Sequence, residues 1–226
     1  SVKGDNSNII TSISQDANGD STIDVKLGKD LKTETITATG KDGKDGKIGI
    51  NGKDGVTTNI SVTRDGKPGV DGAAGTTTTR IVYQKPDGTN EEVANLNDGM
   101  MYGGDTGNVI KKKLNNQVNV KGGISDESKL ATEDNIGVVS DGSDTLKLRL
   151  AKELKGLTSA TFTNGGNNTV INGDGMTITP AGGNAVSLTK DGLNNGGNKI
   201  TNVANGTDPN DAVNKSQLDK ATAAAS

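Results

Sequence analysis

The chain has 226 residues, with 25 Lys and Arg against 28 Asp and Glu, a net charge of −3, no Cys and no His. Without His and Cys it has none of the usual zinc, haem or iron–sulfur ligand sets, no imidazole acid–base catalyst and no thiol nucleophile. Its acidic pI of about 5.1 and lack of a basic stripe offer nothing to nucleic acid.

Leu, Ile, Val and Phe total 45 residues, and the aromatics are one Phe and two Tyr. That is too little large apolar surface for an ordinary compact core of this length, so a folded state is expected to bury surface against further copies of the chain. No run approaches the about 18 apolar residues of a membrane span, and the N-terminus has no signal-peptide pattern. The abrupt ends read as those of a piece of a longer protein.

In chain order, the first feature is a weak internal repeat. Val2-Lys3-Gly4 recurs as Val120-Lys121-Gly122, and the block Val25–Lys32 lines up with Leu148–Lys155. Small insertions between the copies are expected, and repeated modules at long spacing indicate an array. Period-2 alternation predicts strands at Ile23, Val25 and Leu27, at Val56, Thr58, Ile60 and Val62, at Leu146, Leu148 and Leu150, and at Val186 and Leu188. Turns are predicted at Asn18-Gly19, Asn51-Gly52, Asp65-Gly66, Asp87-Gly88, Asn172-Gly173 and Asp191-Gly192, pairs that suit positive φ. Helical spacing at Val109, Ile110, Lys113 and Leu114 predicts a helix over 105–116, capped by Asp105 or Thr106. A helical turn is expected within Ser125–Ala131. A last helix is expected after Asp208-Pro209-Asn210-Asp211, running through Val213, Gln217, Leu218 and the Ala-rich end. The fold class is mainly β with short helices.

The Gly-rich stretch from Gly40 to Gly55, with Gly66, Gly69, Gly72 and Gly75, has the spacing of a collagen helix. Its runs are short, Pro68 is its sole proline, and Ile48 and Ile50 alternate like a strand, so turn-rich β structure is preferred. The same Asp-Gly run lacks the closing Glu of a calcium loop, and Lys follows nearly every Asp-Gly. Gly103-Gly104-Asp105-Thr106-Gly107 lacks the Lys-Thr ending of a phosphate loop, and Ser125 has Ser128 where a Ser-x-x-Lys box needs Lys. Glu91 and Glu92 are adjacent on a strand-to-loop stretch, where alternation points them to opposite faces. Lys3-Gly4-Asp5 and the sequons at Asn59, Asn167 and Asn205 are expected by chance. A polysaccharide-acting enzyme calls for stacking aromatics and paired acids in a groove, and Phe162, Tyr83 and Tyr102 are too few. The chain is expected to be no enzyme, with no cofactor and no metal.

Several segments resemble the trimeric autotransporter adhesins of Gram-negative bacteria. Asp211-Ala212-Val213-Asn214-Lys215-Ser216-Gln217-Leu218 is similar to that family's neck, and the stretch Asp191–Val203 resembles the lead-in before it. The stretch Lys47–Gly55 is similar to the signature of a GIN-type head. Val120-Lys121-Gly122-Gly123, with Asn135–Val139 and Leu154–Leu157, resembles a KG-type module.

The resemblance implies a homotrimer of β-prism head modules with short helices, ending in a neck and the start of a parallel three-stranded coiled coil. It divides the chain into the C-terminal part of a KG-type module (1–35), a GIN-type head (36–103), a KG-type module (104–160), a short β head segment (161–205) and the neck with the stalk start (206–226). The 161–205 segment departs from heads that carry a tryptophan ring, since the chain has no Trp.

Contacts between chains are expected at Ile48, Ile50, Asp211, Val213, Asn214, Gln217 and Leu218. The function implied is multivalent, non-enzymatic attachment to host matrix or cells, abiotic surfaces or other bacteria. The passenger would be extracellular, anchored in the outer membrane by a C-terminal barrel outside this sequence. A purely structural spacer that positions a distant adhesive head is the alternative. Binding tends to sit on loops carried by rigid scaffolds, which singles out exposed loops at Thr57, Thr58 and Asn59 and at Pro86, Asp87 and Asn90 as candidate ligand contacts.

Overall fold

The computed structural model describes residues 1–53 and 57–226, which fall into two units, residues 1–120 and 121–226. Val56, Asp54 and Gly55, and with them the end of the GIN-type signature, lie outside the described residues. The chain is mainly β, built of small antiparallel sheets.

The first unit opens with a hairpin of β1 (Ile9–Gln15) and β2 (Ser21–Leu27), in register from Ile9 opposite Leu27 to Gln15 opposite Ser21. A four-stranded sheet follows: β3 (Lys47–Asn51), β4 (Thr57–Gly66), β5 (Thr78–Gln84) and β6 (Asn90–Glu92), each paired with the next. A second hairpin pairs β7 (Gly99–Tyr102) with β8 (Ile110–Lys113).

The second unit has the hairpin of β9 (Ile136–Ser140) and β10 (Leu146–Leu150), then a five-stranded meander. Its strands are β11 (Ser159–Asn164), β12 (Asn167–Asn172), β13 (Gly175–Thr179), β14 (Val186–Thr189) and β15 (Gly192–Asn194). Helix α1 (Lys215–Ala224) closes the chain. No helix among the described residues is long and apolar enough to cross a membrane, which says nothing of β-barrels.

The strands read from alternation are present, and the helical turn within Ser125–Ala131 is a short 3-10 turn, Glu127–Lys129, capped by Asp126. Three expectations need correction. The helix predicted over 105–116 does not form. Ile110 pairs with Tyr102 of the neighbouring strand, and Gly103–Gly107 turns the chain between β7 and β8. Gly99 permits this pairing, because a Cβ there would overlap the Lys112 carbonyl. Helical spacing of three apolar residues and a lysine is weak beside a strand rich in Met and Tyr placed to pair with Ile110–Lys113.

Asp65-Gly66 makes no turn. It lies in a bulge of β4, where the register to β5 shifts between Thr63 and Gly66, and a Cβ on Gly66 would crowd Thr78 O at 2.7 Å and the Glu92 carboxylate. The last helix begins at Lys215 rather than just after Asp211, since Asn214 takes an extended conformation and caps it.

The two hairpins that embody the sequence repeat share one closure. Asn8 donates from Nδ2 to Lys32 O (2.6 Å) and accepts at Oδ1 from Lys32 N (2.8 Å), while Gly28 N donates to Asn8 O (2.8 Å). Asn135 does the same with Lys155 O (3.0 Å), Lys155 N (2.9 Å) and Ala151 N (2.7 Å). Each Asn side chain thus continues the ladder by one rung beyond the strands. The strands have seven residues in the first copy and five in the second, so the second hairpin is the shorter, and the residues inserted in the second copy lie ahead of it, between Val120 and Asn135.

Candidate functional site

Strand register sorts each sheet into two faces. In the first unit, Ile48, Ile50, Ile60, Val62, Ile81 and Tyr83 share one face of β3–β6, and all six are exposed. In the second unit, Ala160, Phe162, Ile171, Met176, Ile178, Val186, Leu188 and Leu193 share one face of β11–β15, with Ser, Thr and Asn dominating the other. The hairpins repeat the pattern with Ile9, Ile13, Ile23, Val25 and Leu27, and with Ile136, Val138, Leu146, Leu148 and Leu150. Among the described residues, Val82, 3% exposed, is the only buried large apolar side chain. Among the described residues, these sheets have apolar faces and almost no core of their own to receive them.

The other face of β3–β6 is closed over β5. Arg80, 5% exposed, pairs in bidentate fashion with Asp98, Nη1 to Oδ2 and Nη2 to Oδ1 both at 2.6 Å. Its Nε donates to Lys67 O (2.7 Å) and Nη2 to Pro68 O (3.3 Å). Glu92 Oε1 lies 3.8 Å from Nε and accepts from Lys67 N (2.6 Å). Asp98 also accepts from Asn95 N (2.8 Å), and Val70 N donates to Asn97 O (2.8 Å). One guanidinium therefore straps the loops after β4 and β6 over Val82. The Arg80 hydrogen bond, with that of Asn95 N, pulls the Asp98 carboxyl down to about 2, and Asp98 in turn raises Arg80. Asp98 O accepts from Leu114 N (2.8 Å), so the strap continues into the β7–β8 hairpin.

Thr58 and Asn59 lie in strand β4 and not in a loop, correcting the sequence expectation; the Thr57 side chain is outside the description. Thr58 Oγ1 donates to Gln84 O (2.8 Å) and Asn59 Nδ2 to Gln84 Oε1 (2.6 Å). Gln84 Nε2 reaches Gly88 O (3.2 Å) in the turn that carries Pro86 and Asp87, and Asn90 opens β6. Asp87 accepts from Thr89 Oγ1 (2.6 Å) and N (2.9 Å), which lowers its pKa. Both candidate ligand segments thus meet at one end of the sheet through Gln84. Glu91 pairs with Lys85 (3.4 Å) and Glu92 with Arg80, on opposite faces as alternation predicts. Asp5 is engaged by Ser7 N and Ile9 N.

At the C-terminal end, Asp211 accepts from Asp208 N (2.9 Å) and Thr207 N (3.0 Å), which hold its pKa low. Asn214 and Gln217 form a capping box. Gln217 also pairs with both the N–H and the C=O of Gly206 at 2.9 Å, and Asn214 Nδ2 bonds Val203 O (2.9 Å). Asp211, Asn214 and Gln217 are therefore engaged within their own chain, while Val213 and Leu218 are 69% and 60% exposed. Sequence reasoning missed Arg80, Asp98, Asn8 and Asn135. The shared Asn-Ile pair ahead of each hairpin was the available signal for the two asparagines.

The chain is thus mainly β and carries a repeated hairpin, exposed apolar sheet faces and a capped C-terminal helix. Residues 199–226 match the family model of the coiled stalk of trimeric autotransporter adhesin. The chain is similar to the trimeric autotransporter adhesin AtaA of Acinetobacter sp. strain Tol 5, 35% identical over 142 residues, which is 58% of this chain and 4% of that protein. Among solved structures it resembles N-terminal domain 1 of VompD from Bartonella quintana, with 26% identity, 55% of this chain and 99% of that chain covered, and a TM-score of 0.33. It also resembles the C-terminal stalk of AtaA fused to GCN4 adaptors, with 33% identity, 43% and 32% covered, and a TM-score of 0.24. The stalk match over residues 199–226 and the adhesin relative, of which the chain spans only a small part, both point to the trimeric autotransporter adhesins.

Proposed function

We propose that the chain is a homotrimeric segment of a bacterial surface fibre that serves attachment without catalysis. The observation that carries this reading is the set of one-sided apolar sheets with almost nothing buried in the lone chain. Burying the six large side chains of the β3–β6 face at about 1.5 kcal/mol each supplies on the order of 10 kcal/mol per chain as an upper bound. That magnitude competes with the roughly 4–15 kcal/mol cost of association, and the β11–β15 face adds to it. Ile48, Ile50, Val213 and Leu218 supply contacts between copies, while Asp211, Asn214 and Gln217 shape the neck from which those contacts are made.

The module reading follows the family: KG-type (1–35), GIN-type head (36–103), KG-type (104–160), a short β head segment (161–205), and neck with stalk start (206–226). Attachment to host matrix, cells, abiotic surfaces or other bacteria falls to the turn Pro86–Asn90 and the adjoining Thr58 and Asn59. There, contacts of roughly millimolar Kd gain avidity from three copies. The fibre stands on the cell surface, outside the outer membrane. The alternative role, a spacer for a distant head, is favoured by the turn's own hydrogen bonds, which close Asp87 onto Thr89.

The test is molar mass by light scattering across a dilution series, followed by adhesion of the trimer to matrix-coated surfaces. A mass near three times 23.0 kDa supports the assembly, and a compact, cooperatively unfolding monomer refutes it. A trimer that adheres to nothing leaves the spacer role.

A further inference from the structure

The sheets are not alike in how much they need another copy of the chain. Two-stranded hairpins are marginal in water on their own, and β1–β2, β7–β8 and β9–β10 are such hairpins. The five-stranded β11–β15 sheet is larger, yet none of its described residues is buried. Among the described residues, only β3–β6 has part of one face already closed, over β5, and the closure is polar: Arg80 holds Lys67 O, Pro68 O and Asp98, and Glu92 holds Lys67 N. The glycines at the strap suit close approach, since a Cβ on Gly69 would crowd Asn97 O at 2.5 Å. Every bond of this closure is made within one chain.

We propose that the Arg80–Asp98 strap forms the β3–β6 wall in the lone chain, so that a second and third copy dock on a preformed apolar face, and that the remaining sheets order only on assembly. The inference rests on the trimer reading and adds an order of events to it. The surface is the face of Ile48, Ile50, Ile60, Val62, Ile81 and Tyr83, and its occupant is another copy of this chain. Its middle is apolar and its charges lie at the margins, where Arg64 sits beside Val62 and Ile81 and where Glu91 pairs with Lys85, so its apolar side chains suit an equally apolar wall. A face already held in shape loses less conformational freedom on docking, and association is slower when the face must form during binding. Arg80 and Asp98 lie on the far side of the sheet from that face and act through β5. They are positioning residues for assembly.

The experiment is hydrogen exchange on the full chain, read by mass spectrometry from dilute monomer to concentrated trimer, with mass measured on the same samples. The amides of Lys67, Val70, Val93 and Asn95 are expected to be protected at every concentration, and those of β9–β10 and β11–β15 only where the mass is trimeric. Asp98→Asn is expected to slow association by roughly tenfold or more, since the wall then forms only on encounter. Asp98→Asn with a trimeric coiled coil fused after Ser226 is expected to regain trimeric mass and wall protection, which separates slow docking from failure to fold. A trimeric mass with the wall amides unprotected in dilute chain overturns the inference alone, as does wild-type association by Asp98→Asn. A monomeric mass at every concentration overturns the docking step together with the trimer reading.

Discussion

Asn135→Ala removes two hydrogen bonds while leaving the strands of its hairpin untouched. The side chain donates to Lys155 O at 3.0 Å and accepts from Lys155 N at 2.9 Å, and Asn135 is 9% exposed. A side-chain hydrogen bond contributes about 1 kcal/mol net. Lys155 is exposed, so water re-pairs its freed backbone groups and the desolvation penalty stays small. The expected loss is about 2 kcal/mol of local opening free energy, a fall of roughly 30-fold in protection of the Lys155 amide. The Ala151 amide is an internal control, because it donates to the Asn135 main-chain oxygen, which the substitution keeps. Asn135→Asp retains the acceptor and loses the donor, so it falls between wild type and Asn135→Ala. Hydrogen exchange on the trimer reads all three. Unchanged protection of Lys155, or an equal loss at Ala151, refutes the account of Asn135 as an added rung. The same substitution at Asn8 should free the Lys32 amide in the same way.

Other predictions follow from the same geometry. Asp98 is depressed below its ordinary value to about 2, so the stability it adds is present in full above the unfolded carboxyl range and is lost as pH falls from about 4 through 2. Exchange at Asn95 should therefore hold to about pH 4 and quicken towards pH 2, and Asp98→Asn should flatten that dependence. Ile60→Asp puts a charge on the apolar face, and light scattering should show the mass moving from three chains towards one; a trimer that tolerates it places the interface elsewhere. Gly99→Ala forces a Cβ against the Lys112 carbonyl, and protection of the Leu114 amide should fall as the β7–β8 hairpin loosens. Gln217→Ala removes the capping box and both bonds to Gly206, costing about 1 kcal/mol, and circular dichroism should show α1 melting earlier.

Much of the fold is written in local pattern. Strands β2, β10 and β14 follow alternation, because a sheet with one buried face imposes a period of two wherever it forms. Asn214 and Gln217 belong to a stretch legible as a neck, since a cap and its reciprocal partner lie three residues apart. The failures lie where a distant segment decided. Val109, Ile110, Lys113 and Leu114 suit a helix or a strand, and pairing with Gly99–Tyr102 decided for a strand over Ile110–Lys113. Asp65-Gly66 reads as a turn until Thr78 pairs with Gly66.

By itself the sequence determined that this chain is β-rich, modular and short of core, because composition bounds what can be buried and period-2 pattern names the strands. It also placed Lys32 opposite Lys155 in the repeat, yet not the asparagines that hold them, since hairpins of unequal length put Asn8 and Asn135 out of step with that alignment. Only the tertiary structure decided that Arg80 joins Val82 in filling the closed face over β5. A guanidinium is placed by the carbonyls and carboxylate around it, and those come from loops 13 residues before and 18 after it, a separation at which no local pattern survives.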